Sequence, residues 1–113
     1  TVTGDENVAI GYEAATDLTS GTGNVIIGQE AGNNITDAAD NVVIGKAALQ
    51  AASSGGNIAI GAQALRVNTS SNNLAIGHSV LKANTSGLYN VAIGHEAMLT
   101  NVDGDGNKML PWA

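Results

Sequence analysis

The chain has 113 residues, 43% of them hydrophobic but only 3% aromatic, and it contains neither Cys nor Phe. Its formal net charge of −6 argues against binding nucleic acid or anionic lipid through a basic patch. Without Cys there is no disulfide framework and no thiolate metal site, and no apolar run reaches the ~20 residues of a membrane span.

The predicted elements are six copies of one five-residue motif. Asn opens each copy, an aliphatic residue holds the second place, Ile holds the fourth and Gly closes it. The copies are spaced by 17, 17, 16, 16 and 17 residues. Their Asn, Ile and Gly residues are Asn7, Asn24, Asn41, Asn57, Asn73 and Asn90; Ile10, Ile27, Ile44, Ile60, Ile76 and Ile93; and Gly11, Gly28, Gly45, Gly61, Gly77 and Gly94. A fixed period this short predicts a solenoid, in which each repeat is one coil stacked on the last.

Each motif is apolar on both faces of a strand. The second and fourth places point one way, and the third points the other way. A strand that is apolar on both sides is expected to be buried on both sides, once inside the coil and once against a partner elsewhere in this chain or in another chain. We assign the third place, which is rich in Ala, to the contact between chains. Its residues are Ala9, Ile26, Val43, Ala59, Ala75 and Ala92.

The residues after each Gly predict a second, shorter side of the coil. Two mostly polar residues are followed by small and aliphatic ones, and then by turn formers such as Thr85-Ser86-Gly87. A short helix over 13–16 and its equivalents is the alternative. About 17 residues leave room for two short strands and two turns, so the coil is two-sided. We expect the Asn column to hydrogen-bond along the axis and the Gly column to reflect positive φ or close backbone approach.

The repeats divide the chain into two parts. Residues 1–101 form the predicted β-roll domain of six coils. Residues 102–113 are predicted to be a C-terminal cap or a junction, because Pro111 and Trp112 interrupt the pattern of small residues.

The tandem Asn-x-Ala-Ile-Gly-x-x-Ala units resemble the head repeats of trimeric autotransporter adhesins and related repeats of phage tail fibres. The resemblance covers residues 5–101. It implies an all-β, left-handed parallel β-roll with three chains side by side, in other words a homotrimer. It further implies an extracellular structural and adhesive module on a bacterial surface or a virion, with a host cell-surface protein or glycan as partner. Receptor contacts are expected at loop positions, namely Asp17, Thr36, Asp37, Asn68, Thr85 and Tyr89.

Asp103, Asp105 and Asn107 alternate with Gly, as oxygen ligands do in a calcium loop. The Glu that would complete such a loop at its twelfth place is missing, so a Gly-rich turn is the alternative reading. Beyond this calcium candidate, no cofactor is expected.

Two further columns carry titratable groups. His78 and His95 hold equivalent places in adjacent coils and are expected to stack about 4.8 Å apart, where they could bind a metal or respond to pH. The alternative is an ordinary exposed position. Glu13, Glu30 and Glu96 share another column, but no predicted pocket shifts their pKa values. We therefore expect that the chain is not an enzyme.

The sequence leaves two alternative functions open. One is a subunit of a self-assembling extracellular filament. The other is a β-solenoid that binds ice or another ordered surface, which requires a ladder of matched Thr side chains. The Thr residues lie in variable loops, and we expect them to form no clean column. They are Thr16, Thr19, Thr36, Thr69, Thr85 and Thr100.

Overall fold

The structure is a computed structural model that describes residues 4–51 and 54–109. Within these residues the chain is all-β and contains no helix. Each of the six motifs forms a three-residue strand, and a two-residue strand follows them. The strands are β1 (Val8–Ile10), β2 (Val25–Ile27), β3 (Val42–Ile44), β4 (Ile58–Ile60), β5 (Leu74–Ile76), β6 (Val91–Ile93) and β7 (Lys108–Met109).

The seven strands form one parallel sheet in chain order, from β1 to β7. Equivalent motif positions pair, as in Val25 with Val42 and Ile27 with Ile44. Parallel neighbours that are consecutive in sequence require a full circuit of the chain between them. The predicted parallel β-solenoid is therefore confirmed. It is elongated, with principal extents of 43 × 22 × 17 Å.

The second side of each coil is a ladder of hydrogen-bonded turns. Ala15 N donates to Ala31 O at 3.0 Å, and Glu30 N donates to Tyr12 O at 2.8 Å. Glu13 and Ala15 have φ of 56° and 53°, and the equivalent residues of later coils also have positive φ. Right-handed helices need negative φ throughout, so the alternative of a short helix is wrong.

The interior of the solenoid corrects one prediction. In β2 to β6 the middle residue is buried while its two neighbours remain partly or largely exposed. The third motif place therefore points into the coil, where Ala59 and its equivalents pack with Leu65 and other aliphatic residues of the turn side. The assignment of this column to a contact between chains is wrong. Its small residues leave room in a narrow interior for the larger side chains that enter from the other side.

The ladder continues beyond the predicted domain boundary at residue 101. Asn107 N donates to Asn90 Oδ1 at 3.0 Å, and Lys108 pairs with Val91. Residues 102–109 thus follow the same coil path as the six repeats before them. Pro111 and Trp112, on which the prediction of a cap or junction rests, lie outside the described residues.

Candidate functional site

The main candidate is the outward face of the sheet, because it is apolar and has no partner within the described chain. It consists of two columns of six aliphatic residues, which we call the aliphatic face. None of these residues is buried, and Val8, Ile10, Ile44 and Ile58 are among the most exposed large apolar side chains of the molecule. Its members are Val8, Val25, Val42, Ile58, Leu74 and Val91 from the second motif place, and Ile10, Ile27, Ile44, Ile60, Ile76 and Ile93 from the fourth.

The aliphatic face is continuous along the sheet. Six strands at about 4.8 Å and three residues at about 3.3 Å give a flat footprint of roughly 29 Å by 10 Å. This footprint is comparable with the largest apolar patch on a typical monomeric protein, which is often functional. It contains no charged residue.

The motif Asn residues form a continuous ladder that holds the sheet in register. Asn24 Oδ1 accepts a hydrogen bond from Asn41 N at 3.0 Å and another from Asn41 Nδ2 at 3.1 Å. Asn24 Nδ2 in turn donates to Ala38 O at 2.8 Å, across the turn that leads into the next motif. The residues from Asn24 to Asn90 in this column are buried. The predicted stacking of the Asn column is confirmed.

The motif Gly residues combine both features predicted for them. Gly45 has φ of +132°, and a Cβ built on it would lie 2.6 Å from the carbonyl carbon of Gly61. The other five motif Gly residues show the same conformation or the same close approach. These residues therefore have a structural role, because no side chain fits between the stacked backbones.

A second Asn column was missed by sequence reasoning. Asn84 Nδ2 donates to Asn68 Oδ1 at 2.7 Å, and Asn101 Nδ2 donates to Asn84 Oδ1 at 3.1 Å. Asn68 and Asn84 are fully buried, so the prediction that Asn68 is an exposed receptor contact is wrong. The signal was the spacing of 16 and 17 residues between these three Asn residues.

The calcium-like segment takes part in the coil-to-coil hydrogen bonding. Asp105 Oδ1 accepts a hydrogen bond from Leu88 N at 2.7 Å, and Asn107 N donates to the Asn ladder. The side chain of Asp103 is exposed. No group of three or more His, Asp or Glu residues within the described chain is arranged to hold a metal ion. Calcium binding by Asp103, Asp105 and Asn107 stays a prediction.

The two His residues stack as predicted. The ring centroids of His78 and His95 are 5.2 Å apart and their planes differ by 9°. His95 Nε2 lies 3.2 Å from Glu96 Oε1, and His78 Nδ1 lies 3.0 Å from Ser79 Oγ. Both rings are exposed, on the corner that follows the strands.

The Glu column is interrupted along the stack. Ala47, Gln63 and Ser79 hold the equivalent places between Glu30 and Glu96. Beside this column, the Tyr12 hydroxyl has a raised pKa because it hydrogen-bonds to Glu13 and lies near the Glu13 and Glu30 charges.

Four Thr residues share one column, but Ser53 interrupts it between Thr36 and Thr69, so the prediction that no clean column exists stands. Thr19 Oγ1 donates to Thr36 O at 3.2 Å, Thr69 Oγ1 to Thr85 O at 3.0 Å, and Thr85 Oγ1 to Val102 O at 3.3 Å. Sequence reasoning missed these contacts because it treated the loops as variable, whereas each of these four Thr residues lies eight residues after a motif Gly. The hydroxyls of Thr19, Thr69 and Thr85 thus donate to the next coil, whereas Thr36 Oγ1 donates to Asp37 Oδ1 at 3.4 Å.

None of the described residues belongs to a helix that is long and apolar enough to cross a membrane. Comparison of the chain with protein-family models, with curated proteins and with solved structures finds no match.

Proposed function

We propose that this chain is a structural and adhesive module that self-associates through its aliphatic face into a homotrimeric fibre segment. Such a module is of the kind found in surface adhesin heads and phage tail fibres, placed outside the cell on a bacterial surface or a virion. The role proposed is mechanical: a rigid rod carries copies of the same loops side by side. Weak contacts of single loops with a receptor protein or glycan then add up through multivalency.

The aliphatic face is the observation that carries this proposal. The interior of the solenoid is already filled by the third motif place and the turn side, so these aliphatic side chains are not needed to close the coil. Burying them against other copies removes apolar surface from water, which stabilises the assembly by about 25 cal/mol per Å² of buried surface. A cyclic arrangement also closes on itself and so limits further growth.

The loops that remain accessible in this arrangement supply the proposed receptor contacts. Asp17, Thr36 and Asp37 are exposed and lie away from the aliphatic face. Tyr89 is also exposed, but it lies at the edge of that face, beside the start of β6.

Solution mass is the direct test, measured by light scattering on the 113-residue chain. We expect three times the chain mass of 11.3 kDa. The variant Ile44→Asp places a charge in the middle of the aliphatic face and should yield monomers. Val67→Asp is the matched control, because Val67 is 40% exposed and Ile44 is 36% exposed, but Val67 lies on the turn side of the coil. It should leave the mass unchanged.

Three results would count against the trimer. A monomeric wild-type chain means that the aliphatic face stays in water. A mass that grows without limit favours the filament subunit. Equal effects of Ile44→Asp and Val67→Asp would show that a general loss of stability, and not the face, explains the change.

Binding to an ordered surface such as ice is the second candidate, and the Thr column is the observation that favours it. Thr19, Thr36 and Thr69 are exposed, and adjacent coils repeat this place at about 4.8 Å. Thermal hysteresis of the purified chain tests it. Hysteresis that is lost in Thr69→Tyr would support this function, and no hysteresis in the wild type would eliminate it.

A further inference from the structure

Two columns of exposed residues border the aliphatic face. The leading edge consists of the residues that immediately precede each motif Asn, and the trailing edge consists of those that immediately follow each motif Gly. All of them are at least partly exposed. The leading edge is Glu6, Gly23, Asp40, Gly56, Asn72 and Tyr89, and the trailing edge is Tyr12, Gln29, Lys46, Ala62, His78 and His95. Polar edges around an apolar centre are the usual anatomy of a protein interface.

The symmetry of a closed assembly decides which edges meet. If parallel copies are related by a rotation about an axis along the rod, no copy is shifted along that axis. Each coil then lies beside the same coil of its neighbour. The rotation makes the strands of all copies run in the same sense around the axis. The leading edge of one copy therefore meets the trailing edge of the next.

The charges at these edges match in this arrangement. Asp40 and Lys46 flank the same strand, β3, so Asp40 of one copy lies beside Lys46 of the next. Lys46 is the only Lys or Arg on either edge, and the leading edge holds only one further acid, Glu6. Glu6 lies at the level of Tyr12, which carries no like charge. At none of the six coils do two edge residues of like charge face each other.

The remaining levels are complementary in size or in hydrogen bonding. Each remaining coil brings one residue from the leading edge of one copy beside one from the trailing edge of its neighbour, and the pairs below are given in that order. These combinations are Gly23 with Gln29, Gly56 with Ala62, Asn72 with His78, and Tyr89 with His95. A small residue faces the long Gln29 side chain, two small residues face each other, and the two His residues each face a polar side chain.

Other arrangements lose the charge match. A shift by one coil places Lys46 beside Gly23 or Gly56. An antiparallel face-to-face packing brings leading edge to leading edge, so Asp40 never meets Lys46. Within one chain the two side chains lie at opposite edges of the face, and neither forms an ion pair in the described part of the structure.

We propose that Asp40 of each copy pairs with Lys46 of its neighbour, and that this pair selects the parallel, in-register packing of the aliphatic faces. The inference rests on the proposed self-association through that face. The face supplies the attraction between copies. The Asp40–Lys46 pair, at the rim, decides their direction and register, because like charges or unpaired charges result from the alternatives.

The test exchanges the two charges, with self-association measured by sedimentation over a range of chain concentrations at low salt. Asp40→Lys alone and Lys46→Asp alone each place like charges side by side. Each should raise the concentration for half-assembly by roughly tenfold or more. The double variant D40K/K46D restores an opposite pair between neighbours and should return that concentration close to the wild-type value. Lys82→Asp, on the turn side, makes the same charge change as Lys46→Asp and is the control.

The outcomes separate this inference from the function on which it rests. Rescue by D40K/K46D, with little effect of Lys82→Asp, supports the pair. If the wild type assembles but the single reversals have no effect, or the double variant is no better than they are, the pair is refuted while self-association stands. A wild-type chain that stays monomeric refutes both. In 0.5 M salt the differences between these variants should shrink, because the pair lies at a solvated rim.

Discussion

A single motif Asn makes several hydrogen bonds, as Asn57 shows. Asn57 N donates to Asn41 Oδ1, and Asn57 Oδ1 accepts from Asn73 N. Its Nδ2 donates to Ser70 O at 2.8 Å and to Ser54 O at 3.3 Å. The side chain thus satisfies backbone groups of three successive coils that would otherwise be buried without partners, and an unpaired buried polar group costs about 1–3 kcal/mol.

Replacing Asn57 by Ala should lower the free energy of unfolding by roughly 2–4 kcal/mol, because Asn73 N and Ser70 O lose their partners. Chemical denaturation measures the loss. Asn34→Ala is the matched control, because Asn34 is exposed, and it should change stability by less than about 0.5 kcal/mol. Similar losses in the two variants would mean that the ladder adds nothing beyond the general effect of losing an amide.

The motif Gly is required for a different reason, which is space. Gly45→Ala should cost roughly 3 kcal/mol or more, because φ of +132° is strained for Ala and its Cβ would meet the backbone of Gly61. Gly106 also has positive φ, but a Cβ there would meet nothing within 4 Å. Gly106→Ala should therefore cost only about 1–2 kcal/mol. Thermal unfolding of the two variants measures what crowding and the φ of +132° at Gly45 cost together beyond the left-handed conformation at Gly106.

At the scale of the coil, the second and fourth coils exchange a large and a small residue across the interior. In the second coil Ile26 from the strand faces Gly32 from the turn side, and a Cβ on Gly32 would lie 3.2 Å from Ile26 Cδ1. In the fourth coil the sizes are reversed, with Ala59 on the strand and Leu65 on the turn side. In these two coils one large and one small residue therefore fill the interior between strand and turn side, as dense packing requires.

This compensation predicts a double-mutant result. Ile26→Ala alone should cost about 3 kcal/mol through the cavity it leaves. Adding Gly32→Leu converts the coil to the pattern of the fourth one and should recover roughly 1–2 kcal/mol. Gly32 and Leu65 both have φ of 52°, so the backbone accepts the change. Recovery is only partial, because Ile35 Cδ1 lies 2.8 Å from the new Cβ.

Equilibrium denaturation of the four proteins in this cycle supplies the interaction energy. An I26A/G32L variant no more stable than Ile26→Ala would contradict the exchange of volume across the coil.

At the scale of the whole molecule, self-association and stability are linked. If folded chains associate through the aliphatic face and unfolded chains do not, association stabilises the fold by mass action. The midpoint of thermal unfolding should then rise with chain concentration, by on the order of 5 °C or more for a hundredfold increase. Ile44→Asp should unfold at the same temperature at every concentration. A wild-type midpoint that does not depend on concentration would argue against the proposed assembly.

The sequence by itself determined the solenoid. The spacing of the Asn residues defines the coil, because one turn of chain separates residues that stack. The same repetition predicted the Asn ladder and the crowding at Gly, since identical residues at equivalent places must contact one another. It also placed His78 and His95 within stacking distance. Local periodicity is sufficient for these features because each depends only on neighbouring coils.

Only the tertiary structure decided which side of the strand faces inward. The second, third and fourth motif places are all apolar, so alternation alone leaves two assignments open. The structure resolves them because the turn side sends Leu49, Leu65 and Leu81 into the coil, which leaves space for small strand residues and turns the Val and Ile columns outward. The burial of Asn68 and the Thr column likewise depend on the path of the loops, since a hydrogen bond between coils requires both chains to be in place.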